Sequence, residues 1–238
     1  MRTNLITRCY NRLEYTMTCI RESERLAGTP YTHIIIDQGS TDGTKEWLDS
    51  IKKEGYYPLK TQYNGSNTGD AGGMFDGYKI TDDDCEFIMQ MDNDLIPETK
   101  DFIKKLEHIM DTDPTIGGIM LKRNGVGSVV ELSHLGTVID NIFLYETKKA
   151  YSVFWRKSVF KEISKPFSTG DRIGWIFETS NKIKQAGYKV YKTPDITWLH
   201  IDGTYDVSHA KQQDRYPLYF KSVVGKYKNF KNIDYKSI

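Results

Sequence analysis

Phe87-Ile88-Met89-Gln90-Met91-Asp92-Asn93-Asp94-Leu95-Ile96-Pro97 is the stretch that decides the fold. Its run of large apolar residues reads as a buried strand. The run ends on two carboxylates one residue apart, and Pro97, lacking an N–H, is expected to bar further strand pairing. An ionised carboxylate is costly to bury unless it is paired or bound to a metal. At the carboxyl end of a strand, Asp92 and Asp94 can reach a cleft, and in open α/β sheets that edge is where ligands bind. Hard oxygen donors at this spacing suit Mg²⁺ or Mn²⁺ held against a phosphate-bearing substrate. The plainer reading is a strand followed by an acidic turn.

The rest of the chain favours the cleft. Working backwards, Leu5–Thr7, His33–Asp37 and Leu59–Tyr63 read as strands. Helices are expected over Leu13–Leu26, Thr44–Lys53 with Thr44 as cap, Ala71–Ile80 and Glu98–Met110. Strand and helix alternating at this spacing predict right-handed βαβ units on a parallel sheet. The loops after the strands then gather at one edge, bringing Tyr10, Asn11, Asp37, Asn67, Gly69, Asp92 and Asp94 together. Asp82-Asp83-Asp84 reads as a solvated acidic turn. Past residue 115 the pattern changes to short strands at Gly117–Met120, Val129–Leu132, Val138–Tyr145, Ser152–Trp155, Tyr188–Tyr191 and Ile196–Leu199. Helices are expected at Lys157–Ile163 and Ile173–Gln185.

Bulk properties narrow the classes. The chain has 238 residues, 38% hydrophobic and 13% aromatic, enough for a substantial core. A net charge of +1 gives no general attraction to nucleic acid or membrane. No apolar run reaches the length of a membrane span. The opening Met1–Ile6 lacks a leader pattern, and Cys9, Cys19 and Cys85 lack metal spacing. Both features lead to the expectation of reduced thiols in a cytoplasmic protein.

Four segments together carry a resemblance. Tyr10-Asn11-Arg12, Asp37-Gln38-Gly39-Ser40-Thr41-Asp42-Gly43-Thr44, Asn67-Thr68-Gly69-Asp70-Ala71-Gly72-Gly73 and Asp92-Asn93-Asp94 follow one another as in a family 2 glycosyltransferase of GT-A fold. The likeness covers roughly residues 3 to 200, and Asn67–Gly77 most resembles the branch containing rhamnosyl- and galactofuranosyltransferases. It implies an α/β fold, Rossmann-like, with a mostly parallel central sheet flanked by helices and a smaller mixed sheet on the acceptor side. One domain is then expected over 1–238. Residues 1–115 would bind the nucleotide-sugar, 116–204 would face the acceptor, and 205–238 would form a basic, aromatic tail.

The resemblance also implies roles. Tyr10, Asn11, Arg12, Asp37, Asn67, Gly69, Gly73, Asp92 and Asn93 would line the donor site. Asp37 would accept from a uracil or thymine N3–H, which suits a group that only accepts. Gly69–Gly73 would let backbone approach the ligand, or else serve tight helix–sheet packing. Asp92 and Asp94 would hold Mn²⁺ or Mg²⁺, with His200 completing the shell. His33, His108, His134 and His209 have no such context. The family's catalytic acidic pair falls on Trp175 and Ile176, so the base is displaced: Glu178 is favoured over Asp171.

The implied activity is metal-dependent transfer of a sugar from a UDP- or dTDP-type donor to an acceptor hydroxyl, usually with inversion. The acceptor, whether glycan, lipid, protein or modified DNA base, is left open. A sugar-phosphate nucleotidyltransferase would need glycines that Leu5–Arg12 lacks. A non-catalytic binding protein is favoured by the missing acidic pair and opposed by intact Asp92 and Asp94. The tail from Tyr205 interleaves basic and aromatic residues, and reads first as a docked helix with a solvated face.

Overall fold

The computed structural model describes residues 1–55, 58–125, 136–147, 153–163 and 182–200. The first half alternates β1 (Thr3–Cys9), α1 (Leu13–Leu26), β2 (Thr32–Asp37), α2 (Thr44–Lys53), β3 (Leu59–Tyr63), α3 (Gly69–Lys79) and β4 (Phe87–Asp92). Then come β5 (Leu95–Pro97), α4 (Phe102–Thr112), β6 (Ile116–Gly125), β7 (Gly136–Ile139), β8 (Ile142–Glu146), β9 (Val153–Arg156), α5 (Lys157–Ile163) and β10 (Lys189–His200). Among the described residues these strands form one sheet in the order β3-β2-β1-β4-β9-β6-β10-β8-β7, with β5 paired to β10.

Strands β3, β2, β1 and β4 are parallel and in step, with Cys9 opposite Asp37 and Arg8 opposite Asp92. Every residue of β1 and β2 is buried, as expected for a parallel sheet covered on both faces. The period-2 alternation of strands then divides the core. Leu5, Phe87, Met89 and Met91 join Cys19, Leu26, Phe102 and Leu106 of α1 and α4 on one face. Ile6, Ile34, Ile36 and Ile88 join Met74, Val159 and Phe160 of α3 and α5 on the other. Helix α3 comes close enough because Gly77 has no side chain: a Cβ there would lie 2.3 Å from Ile6 Cγ2.

The α/β architecture agrees with the sequence reading, and the differences have local causes. The second-half strands, expected as a smaller mixed sheet, continue the first sheet through antiparallel β9. Pro97 does not end pairing: Leu95–Pro97 is a short strand antiparallel to β10, with Pro97 opposite Trp198. A proline is tolerated there because β5, among the described residues, pairs with β10 alone and so is an edge strand. Helix α4 therefore starts late, after Asp101 in a left-handed turn (φ 60°). The two strands expected at the end of the described chain are one strand, β10, irregular between Thr193 and Thr197. The Val129–Leu132 strand, the first nine residues of the Ile173–Gln185 helix and the tail lie outside the described residues. No helix among the described residues is long and apolar enough to cross a membrane.

Asp82 is not the solvated residue its neighbours suggest. It accepts from Asn4 and Thr32 at 2.9 and 2.6 Å and pairs with Lys60 at 2.7 Å, tying β1 to β2. Burial would raise its carboxyl, but the bonds from Lys60, Thr32 and Asn4 outweigh it and hold the group below the usual carboxylate range.

His33 sits in the middle of β2 with its ring wholly buried, 2.8 Å from Thr7 Oγ1. Burial pushes the imidazole down to about 3. The unfolded chain takes up a proton near pH 6.5 that the folded chain refuses until about pH 3, so stability present above pH 6.5 is lost as the pH falls towards 3. The expected loss is roughly 2 kcal/mol at pH 5. Urea denaturation at pH 7 and pH 5 checks this: His33→Gln should lack that part of the loss, and an identical loss in both proteins would contradict it.

Candidate active site

Strand direction assembles the site. Antiparallel pairing of β9 with both β4 and β6, and parallel pairing of β6 with β10, make β10 run in the same direction as β4. Asp37, Asp92 and His200, the last residues of β2, β4 and β10, therefore arrive at the same sheet edge. Asp94 follows in the turn between β4 and β5.

Each of the two acids has a guanidinium. Arg8, near the end of β1, forms an ion pair with Asp92. Its side chain is only 4% exposed. Arg12, just before α1, places Nη1 3.1 Å from Asp94 Oδ2. His200 Nε2 lies 3.6 Å from the same oxygen. Asp94 and His200 are nearly covered, at 9% and 10% side-chain exposure, whereas Asp92 keeps 27%. The other oxygen of Asp94, Oδ1, is buried without a hydrogen-bond donor among the described residues. That is an unusual state for a buried polar atom. No three His, Cys, Asp or Glu side chains form a cage for a metal ion among the described residues.

The loops that carry these groups are laced together. Asn11 and Arg12 are both left-handed (φ 57° and 65°), which non-glycine residues adopt at a cost. Asn11 N–H donates to Ser40 Oγ at 2.7 Å, and Asn11 Oδ1 accepts from Thr41 N–H at 2.8 Å. Asp42 serves two helix starts, accepting from Leu13 N–H at 2.8 Å and from Thr44 N–H at 3.2 Å. It thus takes the capping role expected of Thr44, which is the first residue of α2 behind a left-handed Gly43. Asp37 is buried, and its Oδ1 accepts from the backbone N–H and hydroxyl of Ser40. The Cys9 thiol, 3.8 Å from Asp37 Oδ1, is pushed up by burial and by that carboxylate.

The expected donor residues separate into two kinds. Tyr10 is 48% exposed at the mouth of the edge. Asn67 turns its side chain onto Gly69 N–H at 2.8 Å, shaping the entry into α3, where Gly69 is left-handed (φ 75°). Asn93 points inward. Its amide donates to Thr16 Oγ1 at 2.9 Å and to the Asn11 carbonyl at 3.3 Å, clasping the Asp92–Asp94 turn to the β1–α1 loop. Gly73 makes room for protein: a Cβ there would meet Arg8 Cγ at 3.0 Å and Gln38 at 3.2 Å. The packing reading holds at Gly73. Glu178 and Asp171 lie outside the described residues.

Two contributors escaped the sequence reading. Arg8 extends β1 past the apolar Leu5-Ile6-Thr7, and an arginine there is a charge that a buried strand must pair with an acid. Gln38 accepts from Thr68 N–H and Oγ1 at 2.9 and 2.8 Å, anchoring the loop before α3. No local pattern announces that contact.

The family model described as "Glycosyl transferase family 2" matches residues 5–169. A comparison with curated protein sequences finds no match. Among solved structures, the 1–349 fragment of TarS from S. aureus shares the fold with a TM-score of 0.67 at 14% identity, over 96% of this chain and 66% of that one. The mannosyltransferase PcManGT from Pyrobaculum calidifontis, solved with GDP-Man and Mn²⁺, gives 0.68 at 15% identity, over 94% and 68%. GalNAc-T7, solved with UDP, GalNAc and Mn²⁺, gives 0.66 at 16%, over 84% and 44%. The chain thus spans about two thirds or less of the length of these structures.

The Asn93 clasp carries a prediction. Asn93→Ala removes the only side-chain donor the Asp92–Asp94 turn offers to Thr16 and Asn11 among the described residues, and should destabilise the fold by about 1–3 kcal/mol. Amide exchange of residues 11–13 should quicken in step, and unchanged exchange there would show that the clasp does not hold the loop.

Proposed function

The chain belongs to glycosyl transferase family 2 and is a glycosyltransferase, and from that premise we propose that it moves a sugar from a UDP- or dTDP-type donor to an acceptor hydroxyl with the help of a divalent cation. The observation that carries this reading is the convergence of Asp37, Asp92, Asp94 and His200 on one edge of a parallel sheet. TarS has been solved with UDP and with UDP-GlcNAc, and PcManGT with GDP-Man and Mn²⁺, in the same fold. The nucleotidyltransferase alternative has no support beside the family match.

The residues present fit a cation. Asp94 Oδ1 is a buried anionic oxygen lacking a donor, and an imidazole approaches the same carboxylate. The carboxylate suits Mn²⁺ or Mg²⁺, and the imidazole favours the transition ion of the two, Mn²⁺. Asp94 and His200 would hold the ion. When bound, the ion supplies Lewis-acid neutralisation of the leaving diphosphate.

The protein groups do the rest. Asp37 accepts from the N3–H of the base, and Tyr10 covers the exposed face of the nucleotide. Arg12 offers a guanidinium to the phosphates, which it binds as a planar fork. Glu178, or failing it Asp171, takes the proton of the acceptor hydroxyl. The acceptor oxygen then attacks the anomeric carbon and the nucleoside diphosphate leaves, inverting that centre. A cytoplasmic setting is part of the same proposal, in keeping with Cys9, Cys19 and Cys85 being free and buried.

A hydrolysis screen over UDP-, dTDP- and GDP-sugars with Mn²⁺ should show turnover with a UDP- or dTDP-sugar; turnover of none would favour a binding protein without the base. In the active pair, Glu178→Gln should lower kcat by roughly a hundredfold or more with donor affinity little changed. Full activity in that variant would move the base to Asp171.

A further inference from the structure

The two arginines that neutralise the acids are held differently. Arg8 lies within β1, its side chain almost wholly covered and its stem packed into the space left by Gly73. Withdrawing it would empty part of the core beneath that sheet edge. Arg12 lies outside the strands, with a more exposed side chain beside the Tyr15 ring, 5.9 Å from its centroid. The backbone of its loop is fixed by Ser40, Thr41, Asp42 and Asn93. None of those contacts requires the guanidinium to stay on Asp94.

Charge completes the argument. Arg8 and Asp92 cancel, and Arg12 and Asp94 cancel. A divalent cation added to Asp94 and His200 leaves a surplus of two positive charges beside the Arg12 guanidinium. Like charges so close in a partly buried site repel. The surplus is removed either by moving Arg12 away or by bringing in a diphosphate.

We infer that Arg12 is an exchangeable counter-ion. Its guanidinium neutralises Asp94 in the empty site, competes with the cation when no nucleotide is present, and passes to the donor diphosphate once the cation has taken the carboxylate. Arg8 stays on Asp92 throughout. The inference rests on the proposed donor site and deepens it, making cation and nucleotide bind cooperatively through one side chain. Such coupling is reciprocal: whatever UDP adds to cation affinity, the cation adds to UDP affinity.

The test is calorimetric titration of Mn²⁺ into the wild type and Arg12→Gln, each without and with saturating UDP. Without UDP the variant should bind Mn²⁺ about tenfold more tightly than the wild type, because its internal competitor is gone. The tightening that UDP confers should shrink by a similar factor. Equal or weaker Mn²⁺ binding by the variant without UDP overturns the inference while leaving the donor site standing. A wild type that fails to bind UDP with Mn²⁺ overturns the donor site itself. Should Arg12→Gln not fold, arginine side-chain ¹⁵N spectra of the wild type decide. On adding Mg²⁺ the Arg12 Nε resonance should shift while that of Arg8 stays, and an unmoved Arg12 resonance at saturating Mg²⁺ overturns the inference.

Discussion

Two carboxylates separated by one residue cannot be folded into a sheet edge unless positive charge goes with them. The structure meets this constraint with Arg8 on Asp92 and with Arg12 on Asp94. Desolvating such a pair costs several kcal/mol per ion unless its partners are well placed. Good placement requires β1 beside β4 in register, so that Arg8 lies opposite Asp92. The sheet order follows from what the acids need as much as from the apolar residues that fill its two faces.

Holding the first loop is the second requirement. Consecutive left-handed residues at Asn11 and Arg12 are strained, and strain of this kind persists only where surrounding contacts over-determine it. Here the contacts come from the β2–α2 loop through Ser40, Thr41 and Asp42, and from the Asp92–Asp94 turn through Asn93. The result is a braced edge on which the Arg8 side chain is packed in place and the Arg12 side chain is the more exposed of the two. Binding energy can then go to the ligand rather than to ordering the loop.

Much of this was legible in the sequence where local pattern and global fold agree. Helices α1, α2 and α5 and strand β3 have the bounds that periodicity and turn residues indicate. The convergence of Asp37, Asp92 and Asp94 follows from strand ends in a parallel sheet, and His200 arrives by the same rule. What was not legible depends on contacts distant in the chain. Pro97 pairs because Trp198, about a hundred residues later, lies opposite it. Thr44 is already inside α2, and Asp42 accepts from its N–H and from that of Leu13 across the chain. Gly73 looks like a ligand-facing glycine until the Arg8 stem is found against it. Asn93, between two acids, reads as a third ligand contact, yet it faces the interior.

The account stands on Asp94 as the residue through which a divalent cation secures a nucleotide diphosphate. The most direct test is calorimetric titration of UDP into the wild type and Asp94→Asn, each with and without Mn²⁺. The account predicts that Mn²⁺ sharpens UDP binding in the wild type and has no effect in the variant. UDP affinity in the wild type that is the same with and without Mn²⁺, or an Mn²⁺ effect that survives in Asp94→Asn, would contradict it.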